Sequence, residues 1–171
     1  MTRYSLEPAD DVFLLTAPER FVHKVDLPLP PARVWDLLTG DDALSSWSRV
    51  ITAATWTTPR PFGVGTIREV VLGGAVRVEE RFYRWIENER MTFSVDAASI
   101  PGLHRFAEDL VLHPTAHGTL LQWTIAIEGN APLRPLLRLA RPLTATVTAS
   151  VVHGIRTRTT SEDNLHGRTA R

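Results

Sequence analysis

The chain has 171 residues, 19 of them basic and 19 acidic, and no cysteine. This length suits one domain with its own core. The missing thiols exclude disulfides, thiolate metal sites and a cysteine nucleophile, and the balanced charge argues against bulk attraction to nucleic acid or anionic membrane.

Residues 1–20 carry Asp10, Asp11 and Glu19 around the short apolar run Val12–Leu15. They lack the basic start and longer apolar core of a secretory signal, and no window approaches the ~20 apolar residues that span a bilayer. The expectation is a cytoplasmic protein with an N-terminal extension over 1–20 that includes a short strand at Val12–Leu15. Over Phe21–Leu27 the residues alternate, with Phe21, His23, Val25 and Leu27 sharing one face, which is strand periodicity. Pro28, Pro30 and Pro31 stop it, and Pro31 suits the first turn of a helix. That helix covers Ala32–Thr39 and closes at Gly40. A second short helix is predicted over Asp41–Trp47, its first turn acidic as the helix dipole prefers.

From 49 to 129 strands alternate with turn signals. They are predicted near 49–57, 65–72, 75–87, 90–97, 104–113 and 118–129. Gly73-Gly74 suits a tight hairpin, since both residues tolerate positive φ, and consecutive hairpins imply an antiparallel meander. In the last segment Leu136, Ala140, Leu143, Val147, Val151 and Gly154 fall on one helical stripe. Pro142 interrupts the hydrogen bonding inside it, so a short helix, a break and a longer helix are expected. The predicted domain covers 21–160, followed by a flexible tail over 161–171.

Three stretches carry a family resemblance: Leu27–Trp35 with Trp47 after it, Gly63–Gly74 followed by Glu79–Phe82, and Gly118–Thr124 leading into the last helix. In this order they resemble the START/polyketide-cyclase (SRPBCC) superfamily. The resemblance implies an α+β helix-grip fold: a curved antiparallel sheet of about seven strands wrapped around a long C-terminal helix, with two short helices after the first strand and a cavity between sheet and helix. Small residues on the facing helix, Ala140 and Gly154, either leave room for that cavity or mark close packing.

Parity selects the candidate site. Arg68 shares a face with Thr66, Val70 and Leu72, and Glu80 shares one with Val76, Val78 and Phe82, so both charges point inward and pair across the hairpin. The resemblance implies a similar Arg/Glu pair in members that bind small carboxylic or phenolic ligands. Two readings stay open: a buried pair that orders the sheet, or a polar anchor in an apolar cavity. Trp123, alternating with Leu121, Ile125 and Ile127, is either a ring-stacking wall or core, and Phe82, Phe93 and Phe106 share that ambiguity. Glu108, on the face of Phe106, Leu110 and Leu112, is a second inward carboxylate, and two carboxylates can divide acid and base roles. The ligand-binding candidates are thus Arg68, Val70, Leu72, Glu80, Phe82, Phe106, Glu108, Trp123, Val147 and Val151, with no catalytic residue assigned.

His23 reads as a hydrogen-bonded wall residue rather than a base. His113 and His117 lie in a turn, where a spacing of four does not bring side chains together, so no metal or other cofactor is expected. Arg134, Arg138 and Arg141 form a basic stripe that is either solvated or a contact for lipid head groups or an acidic partner. No phosphate-binding glycine loop or nucleophile elbow is present. The leading expectation is a binding module for a small hydrophobic molecule (lipid, polyketide or aromatic metabolite), working as carrier, sensor or sequestering protein. An aromatase/cyclase-type enzyme and a protein–protein adaptor are the alternatives. Monomer and homodimer both stay open.

Overall fold

The strands anticipated from alternation between 49 and 129 are all present in the computed structural model, which describes residues 2–169 and the side chains of residues 2–160. In chain order the elements are β1 (Tyr4–Ser5), α1 (Asp11–Thr16), β2 (Glu19–Leu27), α2 (Pro31–Thr39), β3 (Ile51–Trp56), β4 (Ile67–Leu72), β5 (Val76–Ile86), β6 (Arg90–Ala98), β7 (Leu103–Thr115), β8 (Gly118–Gly129), α3 (Arg134–Leu139) and α4 (Arg141–Thr169). The expected tail over 161–171 concerns side chains outside the described residues, and the backbone of α4 runs through Thr169.

The sheet is antiparallel and curled, in the order β2-β8-β7-β6-β5-β4-β3, with β1 added beside β6. Along this path β2 is out of sequence: it crosses to pair with β8 in full register from Glu19↔Ile127 to Leu27↔Thr119. The other neighbours on the path are consecutive in the chain. Gly73 and Gly74 take φ of 56° and 72°, and with Ala75 they make a three-residue connection that pairs Leu72 with Val76 and so sets Arg68 directly opposite Glu80.

The concave face carries the main core. Phe21, Val25 and Leu27 of β2, Leu121, Trp123 and Ile125 of β8, and Val34 and Leu38 of α2 meet Val151, Val152 and Ile155 of α4. Each such side chain contributes roughly 1.5–3 kcal/mol relative to exposure, and this burial, rather than propensity, holds the Thr- and Val-rich α4 as a helix.

Three local expectations are corrected. Val12–Leu15 is not a strand but lies in α1: Asp10 caps the helix by accepting from the Phe13 amide, and Phe13 and Leu14 pack on Ala107 and Ala126 of the convex face. The second short helix over 41–47 is a run of turns, because Leu44 sits at φ 66° and a left-handed residue cannot continue a right-handed helix. Third, the face of α4 turned to the sheet is rotated from the predicted stripe. Leu143 is 67% exposed and Leu136 58% exposed, and the inward positions are Thr144, Ala145, Thr148, Val152, Ile155 and Thr159, with Val147 and Val151. Threonine is tolerated there because its hydroxyl bonds back to the helix, Thr144 to the Ala140 carbonyl and Thr148 to that of Thr144. The break at Pro142 is as expected, with α3 ending at Leu139 and Pro142 in the first turn of α4.

Gly154 marks close packing rather than room. A Cβ there would stand 2.7 Å from the Trp47 carbonyl oxygen, so α4 approaches the loop before β3 rather than the sheet itself. Among the described residues no helix is long and apolar enough to cross a membrane.

Candidate functional site

The sheet does not close fully onto α4. A partly enclosed cavity of about 190 Å³ remains, walled by Val70 and Leu72 of β4, Val78 and Glu80 of β5, Phe106 and Glu108 of β7, Trp123, Ile125 and Ile127 of β8, and Thr144, Val147, Thr148 and Val151 of α4. Leu44, Val50 and Ile51, from the turn region and the start of β3, complete it. It is smaller than the roughly 300–1,000 Å³ typical of small-molecule sites. The reason is a block of rings filling the neighbouring part of the half-barrel: Trp35, Trp56, Phe62, Phe82, Trp85 and Phe93, in a chain of contacts 4.4–6.1 Å between centroids. Other depressions are more open, such as the cleft of about 530 Å³ beside the Trp47–Gly154 contact, lined by Ser46, Arg49, Ser150, Thr157 and Arg158.

Two carboxyls stand in this otherwise apolar wall. Glu80, buried, accepts from Arg68 Nε on its Oε2 at 2.7 Å, with Arg68 Nη2 also 2.7 Å from that oxygen as an ion pair. Glu108, half-buried because it faces the cavity, accepts from Trp123 Nε1 at 2.6 Å, also on Oε2. Among the described residues no hydrogen bond reaches Oε1 of either carboxyl, and both side chains line the cavity. Val70, Leu72, Phe106, Trp123, Val147 and Val151 line the cavity with these two carboxyls. Arg68 and Phe82 do not: Phe82 is fully buried in the ring block, and Arg68 stands behind Glu80. Its guanidinium lies 4.9, 5.3 and 5.6 Å from the rings of Trp56, Phe82 and Phe93. That is cation–π distance, which holds the charge in place and supplies part of its lost solvation.

The protonation states follow from this layout. Burial pushes the Glu108 carboxyl up to about 8, the negative charge of Glu80 adds to the push, and the Trp123 hydrogen bond and Arg68 oppose it. Glu108 is therefore a neutral acid at neutral pH. Burial raises Glu80 too, against the pull of Arg68. A buried guanidinium keeps its proton and needs a counter-ion, so Glu80 is the ionised member and the three groups together are close to neutral.

The remaining candidates fall elsewhere. His23 bonds Thr148 Oγ1 at 2.9 Å, joining β2 to α4, and burial with the charge of His153 lowers its pKa. Arg134 reaches Glu128 and the Gly129 carbonyl, and Arg141 reaches Glu19 and the Arg20 carbonyl, so this stripe pins α3 and α4 to the sheet ends. Arg138 is exposed. His113 and His117 stand at the β7–β8 end, and no group of three or more His, Asp or Glu side chains able to hold a metal ion occurs among the described residues.

Parity in the strands also held a signal for Val78, which follows Val76 and precedes Glu80 on the inward face, and for Ile125 and Ile127 beside Trp123. Leu44, Val50, Thr144 and Thr148 had none. The first two depend on a left-handed turn, and the threonines on hydroxyls satisfied within their own helix.

The comparisons agree with this architecture. The family described as polyketide cyclase/dehydrase and lipid transport matches residues 18–160. Uncharacterised proteins of Mycobacterium tuberculosis and Mycobacterium bovis are 37% identical over 140 residues, covering 82% of this chain and 84% of theirs. Among solved structures, a START superfamily protein from Mycobacterium smegmatis superposes with a TM-score of 0.69 at 13% identity, over 83% of this chain and 97% of that one. A Thermus thermophilus protein gives 0.68 at 21% identity, over 84% and 98%. The chain belongs to the polyketide cyclase/dehydrase and lipid transport family and has the START-like helix-grip fold.

Proposed function

We propose that this family member binds one small, largely apolar molecule in the cavity between the sheet and α4, as a carrier, sensor or sequestering protein. The observation that carries the reading is the cavity itself, partly enclosed, apolar over most of its wall and polar at Glu80 and Glu108. An apolar surround with a few placed polar groups is how small-molecule sites gain both affinity and orientation. A volume of about 190 Å³ favours a mono- or bicyclic compound over a long acyl chain. The same reading places the protein in the cytoplasm, as monomer or homodimer, without a nucleic-acid partner. Native mass spectrometry of protein purified from its own host tests it: the expected result is a chain carrying one small organic adduct that is lost on denaturation. Consistently bare protein, with no uptake from a hydrophobic extract of that host, would remove the support.

A second reading is favoured by one specific observation. A neutral acid, Glu108, and an ionised carboxylate, Glu80, face the same cavity, and such a pair can move a proton onto and off a bound carbonyl compound. In that case the protein is an aromatase/cyclase-type enzyme. Turnover of an enolisable ketone, measured by deuterium uptake from solvent and lost in Glu108→Gln, distinguishes it from a carrier.

A further inference from the structure

We propose that the polar end of the cavity is shaped for an uncharged hydroxyl, an alcohol or phenol on an apolar frame, and that it excludes carboxylates. This rests on the cavity being the binding site, and it specifies what that site accepts.

Donors, acceptors and charge decide what this site accepts. Glu80 and Glu108 both line the cavity, and among the described residues each carries its hydrogen bond on Oε2, which leaves Oε1 uncommitted. The Trp123 N–H occupies Oε2 of Glu108, so a proton held by that carboxyl is displayed on Oε1, where it donates into the cavity. The Arg68 hydrogen bond and ion-pair contact both fall on Oε2 of Glu80, so among the described residues Oε1 of Glu80 is an acceptor with its capacity unused. The two groups thus offer one donor and one acceptor to the same cavity. A hydroxyl, which accepts one hydrogen bond and donates another, satisfies both. A ketone satisfies only the first and a hydrocarbon neither.

A carboxylate meets the opposite fate. The nearest cation, Arg68, is spent on Glu80 and boxed by Trp56, Phe82 and Phe93, so it cannot turn to greet a second anion. An incoming carboxylate would lose its water and face the charge of Glu80 in a low-dielectric wall. An ammonium is attracted by the carboxyls, but it must be desolvated and must strip the proton from Glu108. The hydroxyl carries neither cost.

A matched naphthalene series reads this out: naphthalenemethanol, methylnaphthalene, naphthoate and naphthylmethylammonium, each competing with the uncharged bicyclic fluorophore 1-aminonaphthalene at about pH 6.5, below the Glu108 value of about 8. The alcohol is expected to bind about tenfold or more tighter than the hydrocarbon, the worth of one net hydrogen bond, and naphthoate at least as much weaker than the alcohol. In Glu108→Leu, checked for native circular dichroism, the alcohol should fall to the level of the hydrocarbon. Equal affinity of alcohol and hydrocarbon in the wild type overturns the inference while leaving the cavity reading intact. Tightest binding of naphthoate or of the ammonium also overturns it. If the fluorophore itself shows no saturable binding, the cavity reading fails and this inference with it.

Discussion

Replacing Glu108 with glutamine should make the protein more stable, and increasingly so as pH rises. The carboxyl has a reference value of 4.5 and is pushed to about 8 in the fold, by burial and by Glu80. The folded form therefore binds the proton more tightly than the unfolded chain. With respect to this group, stability is greatest below about 4.5 and is lost as pH rises towards about 8. At about 1.4 kcal/mol per unit, the interval corresponds to an upper bound near 5 kcal/mol. Because Glu108 opens on a cavity rather than on dry core, about 2–4 kcal/mol is the expected loss. Glutamine keeps an oxygen for Trp123 Nε1 and has nothing to ionise. Urea denaturation of both proteins between about pH 5 and 8.5 isolates the effect, since Glu80, Arg68 and every other titrating group are common to the two. The variant's advantage should be near zero at about pH 5 and reach about 2–4 kcal/mol at about pH 8.5. Parallel pH profiles would refute the neutral-acid assignment.

The Arg68–Glu80 pair should show the asymmetry of a buried ion pair. Arg68→Met alone leaves Glu80 stranded and should cost about 3–5 kcal/mol by chemical denaturation, whereas Arg68→Met/Glu80→Leu should cost much less. Equal costs would mean that the pair is not electrostatically isolated. Gly154→Ala tests the helix–loop contact: helix propensity alone favours alanine by about 1 kcal/mol, but the added Cβ would meet the Trp47 carbonyl oxygen at 2.7 Å. Overpacking against backbone should prevail, with a net loss of about 1–3 kcal/mol seen as a lower thermal midpoint; a raised midpoint would show that the loop gives way.

Which features are legible in the sequence depends on the range of the interactions that set them. Strand alternation is local, so the residue pattern of β4 and β5 is enough to turn Arg68 and Glu80 to the same face, while the three-residue Gly73–Ala75 connection sets them directly opposite. Inward parity in β7 and β8 likewise sets Glu108 and Trp123 on the cavity side. Depth behind a face is not local. Arg68 and Glu80 alternate identically with apolar neighbours, yet Glu80 lines the cavity and Arg68 sits behind it, because the rings that box Arg68 come from β3, β5 and β6. Helix α4 misleads for a different reason. Its leucines suggest a face through Leu143, but the threonines satisfy their hydroxyls on the helix itself and so turn inward at little cost, which leaves Leu143 outside. The α1 helix is obscured by its short apolar run, and only the Asp10 cap and the small Ala107 and Ala126 beneath it decide the outcome.

The central claim is that the space between sheet and α4 receives a ligand, and filling that space is its most direct test. Titration of wild type and of Val147→Phe with the bicyclic fluorophore 1-aminonaphthalene, with thermal midpoints recorded alongside, makes the comparison. Val147 lines the cavity from α4, and the larger ring enters a volume of only about 190 Å³. The wild type should bind one fluorophore per chain saturably, and the variant at least about tenfold more weakly with its cooperative unfolding intact. Unchanged affinity in a folded variant, or fluorescence that never saturates in the wild type, would contradict the account.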